Sequence, residues 1–136
     1  MDPLKSIMQI AGSGMMAQGE RLKVISENVA NANSTGSTPG ADPYRRKTIS
    51  FDEMVDRSSG ATMVKVDDIG RDMSDFKKTY DPQHPAANRM GYVKMPNVNT
   101  LIEMGDMREA SRSYEANMNM LDTGRRMKSQ TIDLLK

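Results

Sequence analysis

Residues 3–31 read PLKSIMQIAGSGMMAQGERLKVISENVAN, and this stretch decides the fold. Its mostly apolar positions recur in alternating steps of four and three residues, which predicts one continuous face of an α-helix over almost four heptads. Asp2 can cap this helix, and Pro3 suits the first helical position because its missing N–H needs no partner there. The predicted seam consists of Leu4, Met8, Ala11, Met15, Gln18, Leu22, Ile25 and Val29.

The same helix is intrinsically weak because it contains Gly12, Gly14 and Gly19. Each glycine in a helix interior costs about 1 kcal/mol relative to alanine, so the helix is marginal on its own in water. We expect residues 1–31 to be largely disordered in the free monomer and to become helical in an assembly. Packing on the core of its own domain is the alternative, but a sustained seam favours pairing with another helix.

A second long helix is predicted over residues 99–135, where Thr100 and Glu103 fit the Thr-x-x-Glu capping box. At about 1.5 Å per residue the two helices would reach roughly 40 and 50 Å, which is too long for burial on a short middle segment. They must therefore pair with each other, with other subunits, or with both. The interface positions predicted on this helix are Met107, Ala110, Tyr114, Asn117, Leu121, Met127 and Leu134.

The middle segment, residues 34–98, contains five of the six prolines and begins in a loop. Short stretches in it predict strands, the first of which carries basic residues that would protect it as an edge strand. These strands lie at 44–51, 62–69, 76–80 and 90–95. Their spacing predicts a small open β module. The predicted fold is therefore mainly α with a small β module, in three parts: residues 1–33, 34–98 and 99–136.

Composition limits what such a chain can do alone. Only 22 of the 136 residues are Leu, Ile, Val or Phe, whereas Met contributes 14. That share is below the roughly 20% at which chains tend towards disorder, although the net charge of +1 is not typical of a disordered chain. An independently folded enzyme with a deep, dry pocket is therefore not expected. No apolar run approaches the ~18 residues of a membrane span.

Two features bear on the compartment. The chain has no cysteine, which excludes disulfides and thiolate metal sites but suits either redox compartment. The first residues do not form a secretory signal, because Gln9 and three small residues interrupt the apolar ones. We therefore expect a cytosolic protein, or one exported by a route that does not read such a signal.

The polar residues offer little for catalysis. His84 is the only histidine, and a proline-fixed turn is favoured over a base or a metal ligand shared with Asp81. A small enzyme built on His84 and nearby acids remains an alternative. A second acidic set does not match the calcium-binding loop and predicts a solvated loop; it consists of Asp67, Asp68, Asp72 and Asp75. No catalytic, metal or cofactor site is predicted.

Two basic clusters, at residues 45–47 and 125–128, do not predict nucleic-acid binding. Such binding needs a broader basic face with stacking aromatic residues. The second cluster complements the dipole near a helix C-terminus.

Three asparagines fall on the helices. Asn117 lies on the predicted seam, where an asparagine typically selects register and partner at a cost in stability. We expect Asn28 to make an inter-helix hydrogen bond. Asn31 is expected to cap the C-terminus of the first helix, because asparagine tolerates the left-handed conformation.

The first helix carries a further set of motif residues, Ser13-Gly14-Met15, Ala17-Gln18, Arg21-Leu22, Ile25-Ser26, Asn28 and Ala30-Asn31. Together they resemble the N-terminal signature of bacterial flagellar axial proteins. Further stretches are similar to the proximal-rod subunits of that family, and they lie at 42–47, 81–85, 91–99 and 106–117. One departure is the Ser-, Pro- and Gly-rich loop opened by residues 33–36, where other axial proteins commonly continue into Gly and an aromatic residue.

The resemblance implies a structural subunit of the basal-body rod, the helical drive shaft that transmits torque from motor to hook. It implies export by the flagellar type III apparatus without a cleaved signal, and assembly in the periplasm. Its terminal helices would pair as an antiparallel coiled coil and pack with neighbouring copies. Implied partners are other proximal and distal rod subunits, the base-side rod adaptor and the export apparatus, with no nucleic acid. A soluble coiled-coil adaptor or export chaperone is the alternative.

The weakness of the first helix can be tested directly. We predict that a peptide of residues 1–31 shows little helix by far-ultraviolet circular dichroism in water, because three glycines oppose it. A stably helical peptide would refute the expectation.

Overall fold

The computed structural model describes residues 2–136. It has two long helices at the ends of the sequence and four strands between them. The elements are α1 (Pro3–Ala30), β1 (Lys47–Val55), β2 (Thr62–Arg71), β3 (Lys77–Tyr80), β4 (Tyr92–Met95) and α2 (Thr100–Leu134). The predicted number, type and order of elements are confirmed. None of the helices formed by the described residues is both long and apolar enough to cross a membrane.

The strands form two separate two-stranded sheets, β1 with β2 and β3 with β4. The short strands were predicted correctly, but they form two small sheets and not the single small β module that was expected. The first strand also begins at Lys47, three residues later than predicted, and extends to Val55. Arg45 and Arg46 precede it and bind other segments, so they do not protect a strand edge.

The two helices are capped by side chains that precede them. At α1, Asp2 Oδ1 accepts a hydrogen bond from the Leu4 N–H at 3.0 Å, which confirms the predicted cap. At α2 the predicted capping box was wrong: Asn99 Oδ1 accepts from the Leu101 N–H at 3.1 Å. Glu103 instead pairs with Arg46. Asn99 is the capping residue, one position before Thr100, because its short side-chain amide reaches the free N–H groups of Leu101 and Ile102.

The chain divides into two compact units, and both helices contribute to each. The first unit comprises the described part of Met1–Leu22 together with Ile49–Asp68 and Arg108–Lys136. The second comprises Lys23–Thr48 and Ile69–Met107.

In the first unit, α1 is tied to the β1–β2 hairpin by polar contacts. Ser13 Oγ accepts from the Val64 N–H at 3.2 Å. Gln9 accepts from the Ser59 hydroxyl at 3.0 Å and donates to Asp56 Oδ2 at 3.2 Å. The buried apolar residues of this unit are small, and they are Ala11, Ala17, Ala61 and Ala110. Small side chains let backbones approach closely, so this unit needs few large aliphatic residues.

In the second unit, β3 and β4 pair antiparallel, with Lys77 opposite Met95 and Tyr80 opposite Tyr92. The two tyrosine rings meet edge to face with centroids 5.3 Å apart. Gly91, at φ +86°, precedes β4 in a conformation that favours glycine. The buried apolar side chains of this unit are those of Val24, Ile25, Pro43, Ala86, Val93, Pro96 and Val98, and the polar residues Asn28 and Glu103 are buried with them.

The capping of α2 generates a discriminating prediction. Asn99→Ala should lower the free energy of unfolding by about 1 kcal/mol, because two N–H groups lose their acceptor. Thr100→Ala is the matched control and should change stability by less than about 0.5 kcal/mol, as surface substitutions do. Urea unfolding of the full chain measures both, and a larger effect at Thr100 would restore the capping box.

Candidate assembly interface

Three contacts in the first unit bring α1 and α2 together. A Cβ atom added at Gly14 would lie 2.6 Å from Asn117 Nδ2, and one at Gly124 would lie 2.9 Å from Met8 Cγ. Arg21 Nη2 lies 3.6 Å from Glu109 Oε2. As residue numbers rise along α1 they fall along α2. These segments therefore run antiparallel, and two of the contacts leave no room for a side chain larger than glycine.

The predicted seam residues differ in how far their own chain buries them. Ala11, Ile25, Asn28 and Ala110 are buried. The half-buried set is Leu4, Met8, Met15, Gln18, Leu22, Val29, Asn31, Met107, Tyr114, Asn117 and Leu121. Met127 and Leu134 are 48% and 86% exposed. Packing within the chain therefore covers much of the seam and leaves its C-terminal end open.

Sequence reasoning missed several buried positions. Ala17 and Val24, seven residues apart, are buried on α1 although neither lies on the predicted seam. Gly124 is buried on α2. Continuing the steps of four and three from Asn117 through Leu121 would have found Gly124, had small residues been counted as seam positions.

Asn28 organises the second unit, and the predicted inter-helix hydrogen bond was wrong. Its Oδ1 accepts from the Tyr44 hydroxyl at 2.7 Å and from the Lys47 N–H at 2.8 Å. Its Nδ2 donates to the Lys47 carbonyl at 2.9 Å. The side chain is 1% exposed, so these bonds fix the segment before β1 against α1. Asn28 bonds to the backbone of Lys47 in β1 and not to another helix, and helical periodicity in the sequence does not reveal such a partner.

Asn31 does cap α1, but by a different means from the one predicted. Its Nδ2 donates to the Glu27 carbonyl at 2.8 Å. None of the described residues other than glycine has a positive φ, so the expected left-handed conformation is wrong.

Asn117 lies against Gly14, on the predicted seam. This position fits a residue that selects the register of the two helices. Selection of a partner by Asn117 stays a prediction.

The first basic cluster is used inside the chain. Arg45 Nη1 donates to the carbonyls of Asp72 and Ser74, and its guanidinium stacks 4.1 Å from the Phe76 ring centroid. Lys47 Nζ pairs with Glu27, and this hydrogen bond lowers the pKa of the Glu27 carboxyl. These residues therefore serve packing and do not form a free basic face.

Arg46 pairs with Glu103, which is 1% exposed, and lies 3.6 Å from Asp72 Oδ2. Burial alone would lower the pKa of Arg46, but the hydrogen bond to Glu103 and the nearby negative charges of Glu103, Asp72 and Asp106 together raise it above its usual value. This pair was missed because its members are 57 residues apart in sequence. Removing one member of a buried ion pair would leave the other charge uncompensated.

The prediction that the acidic set forms one solvated loop was wrong. Asp67 and Asp68 lie within β2, whereas Asp72 and Asp75 follow it. Asp72 Oδ1 accepts from the Ser74 N–H at 2.8 Å, and this bond lowers the pKa of its carboxyl. Within residues 2–136, no three His, Cys, Asp or Glu side chains form a group that could hold a metal ion.

His84 lies in a turn, as predicted, and both ring nitrogens have partners. Nδ1 accepts from the Ala86 N–H at 3.0 Å, which places the hydrogen of the neutral ring on Nε2. Nε2 lies 3.3 Å from Thr35 Oγ1. The Gly40 N–H also donates to the Ala86 carbonyl. His84 thus ties the loop at 33–43 to its own turn.

Comparisons with known proteins point to one family. Residues 8–38 match the family model described as flagella basal body rod protein, and residues 89–134 match flagellar basal body rod FlgEFG protein C-terminal. Flagellar basal-body rod protein FlgC of Agrobacterium fabrum is 57% identical over 136 residues, covering 100% of this chain and 98% of that protein. The FlgC proteins of Escherichia coli O6:H1 and Borreliella burgdorferi are 42% and 37% identical, each over at least 96% of both chains.

The Asn28 contacts generate a stability prediction. Asn28→Ala should lower the free energy of unfolding by about 2–4 kcal/mol, because it leaves polar groups of Tyr44 and Lys47 without their partner. Asn31→Ala, which removes one side-chain bond to backbone, should cost about 1 kcal/mol or less. Equal losses in urea unfolding would contradict the central position of Asn28.

Proposed function

The chain belongs to the FlgC family of flagellar basal-body rod proteins, and we propose that it is a proximal-rod subunit that self-assembles through its terminal helices. Its relatives are named as flagellar basal-body rod proteins, and we propose a structural and not a catalytic role for this chain. The observation that carries the proposal is the antiparallel contact of α1 with α2, combined with the exposure of Met127 and Leu134 at the end of α2.

Helix pairing supplies the building unit of a rod wall. The three contacts between α1 and α2 have the order expected of an antiparallel coiled coil, since their residue numbers change in opposite directions. Seam residues left exposed, Met127 and Leu134 above all, remain available to neighbouring copies. When two different faces of neighbouring copies meet, and the same contact repeats without closing into a ring, the copies form a helical assembly.

Torque transmission requires that such a wall resist deformation. Close-packed interiors have low compressibility, and glycine and alanine contacts bring helix backbones near enough to pack densely. Met side chains adapt to irregular gaps between subunits, which fits a chain with 14 of them. We propose that the wall made by these helices carries torque from motor to hook.

The proposed location is the periplasmic part of the basal body, reached through the flagellar type III apparatus without a cleaved signal. Absence of cysteine suits that compartment, because no unwanted disulfide can form there. The proposed partners are further copies, other proximal and distal rod subunits, the base-side rod adaptor and the export apparatus.

A soluble coiled-coil adaptor or export chaperone would use the same helices in the cytosol. Fractionation distinguishes the two functions: a rod subunit co-purifies with detergent-extracted basal bodies, whereas an adaptor stays in the soluble fraction. Recovery in the soluble fraction alone would contradict the proposal.

The seam can be tested in the source bacterium by replacing Leu22 and Ile25 with Asp. Ile25 is 4% exposed, so the charges would be buried without partners and the helix packing would fail. We expect export of the variant to continue while rod assembly and swimming are lost. Control substitutions at the exposed positions Lys23 and Ser26, also to Asp, should leave swimming intact. Normal swimming of the Leu22 and Ile25 variant would refute the seam.

A further inference from the structure

An apolar groove runs between α1 and the β1–β2 hairpin in the first unit. Its volume is about 730 Å³, and it is partly open to solvent. Its apolar lining includes Gly12, Met16, Gly19, Met63, Val64 and Val66. We call it the helix–hairpin groove. Met16 remains 77% exposed, so the chain's own side chains do not fill it.

The groove is long enough to bind a helical segment, and its floor has room for the side chains of that segment. The α1 residues that line it extend from Met8 to Glu20, about 18 Å of helix. A Cβ added at Gly12 or Gly19 would meet no atom within 4 Å, in contrast to Gly14 and Gly124. The latter two glycines are required by packing within the chain, whereas Gly12 and Gly19 leave open space on the groove floor.

A segment of suitable length and chemistry is exposed on the same protein. Residues 125–134 of α2, about 15 Å of helix, are exposed at every position. Met127, Thr131 and Leu134 follow one another at steps of four and three and so lie on one face of the helix. We call this face the α2 tail stripe.

Charge favours the meeting of these two surfaces. Between residues 125 and 132 there are three basic residues and no acid, namely Arg125, Arg126 and Lys128. The hairpin region 49–68 has five acidic residues against two basic ones. Glu20 and Lys65 both line the groove, and Asp56, which is hydrogen-bonded to the groove residue Gln9, adds a further acid at its border. A basic helix is therefore attracted to the acidic borders of the groove.

We propose that the helix–hairpin groove binds the α2 tail stripe of a second copy of this chain. Met127 and Leu134 enter between Met16 and the valines of β2, while the flanking arginines and lysine lie towards the acidic hairpin. The contact joins two different surfaces and is therefore heterologous, so it can repeat along a helical assembly. This inference rests on the proposed function and adds which surfaces of neighbouring copies meet.

The chain's lack of cysteine makes a crosslinking test clean. Met16→Cys and Leu134→Cys are placed on separate copies of the full chain, co-expressed in the source bacterium in place of the natural gene. The matched control pairs Leu134→Cys with Met73→Cys, since Met73 is 76% exposed and Met16 is 77% exposed. After mild oxidation of purified basal bodies, we expect at least fivefold more disulfide-linked dimer from the 16–134 pair than from the 73–134 pair.

A second pair of variants tests the groove without relying on a disulfide geometry. Gly12→Leu fills the groove in open space, so it should reduce the 16–134 crosslink at least fivefold. Gly105→Leu, at another helical glycine with open space, should leave the crosslink unchanged. Two outcomes in cells that swim would overturn the proposed contact. One is an equal yield of crosslinked dimer from the 16–134 and 73–134 pairs, and the other is crosslinking of Met16→Cys only to a different rod subunit. Absence of the chain from basal bodies would instead contradict the proposed function.

Discussion

The close approach of α1 and α2 is the constraint on which the rest of the structure depends. Ala110 is fully buried, and Gly14 and Gly124 face side chains that leave no room for a Cβ. Each helical glycine costs about 1 kcal/mol in helix propensity, so these positions are tolerable only where packing compensates them. Dispersion between closely spaced backbones supplies that compensation. A chain with only 22 Leu, Ile, Val and Phe residues can therefore form two long helices.

The same constraint determines what the chain leaves open. One face of α1 meets α2, while other residues of α1 bond to the hairpin through Gln9 and Ser13. Beyond Gly124 the residues of α2 are exposed, including Met127 and Leu134. Exposed side chains of this kind at the end of a long helix fit membership in a family of basal-body rod proteins. The second unit is held differently, by polar bonds centred on Asn28 and Arg46.

Local patterns in the sequence were enough to predict the helices, because heptad spacing and end signals are properties of neighbouring residues. The Asp2 cap followed from that reasoning. At α2 the local signals were ambiguous, since Asn99 and Thr100 are both good caps and only the folded backbone selects one. Asn28 and the Arg46–Glu103 pair could not be predicted, because their partners lie 16 to 57 residues away. The division of the strands into two sheets depends on similar long-range contacts.

A subunit-resolved electron cryo-microscopy map of basal bodies isolated from the source bacterium tests the central claim most directly. We expect density for this chain in the rod wall, with α1 and α2 antiparallel and Met127 and Leu134 buried against neighbouring subunits. A map in which the chain is absent from the rod, or in which the end of α2 faces solvent, would contradict the proposed assembly.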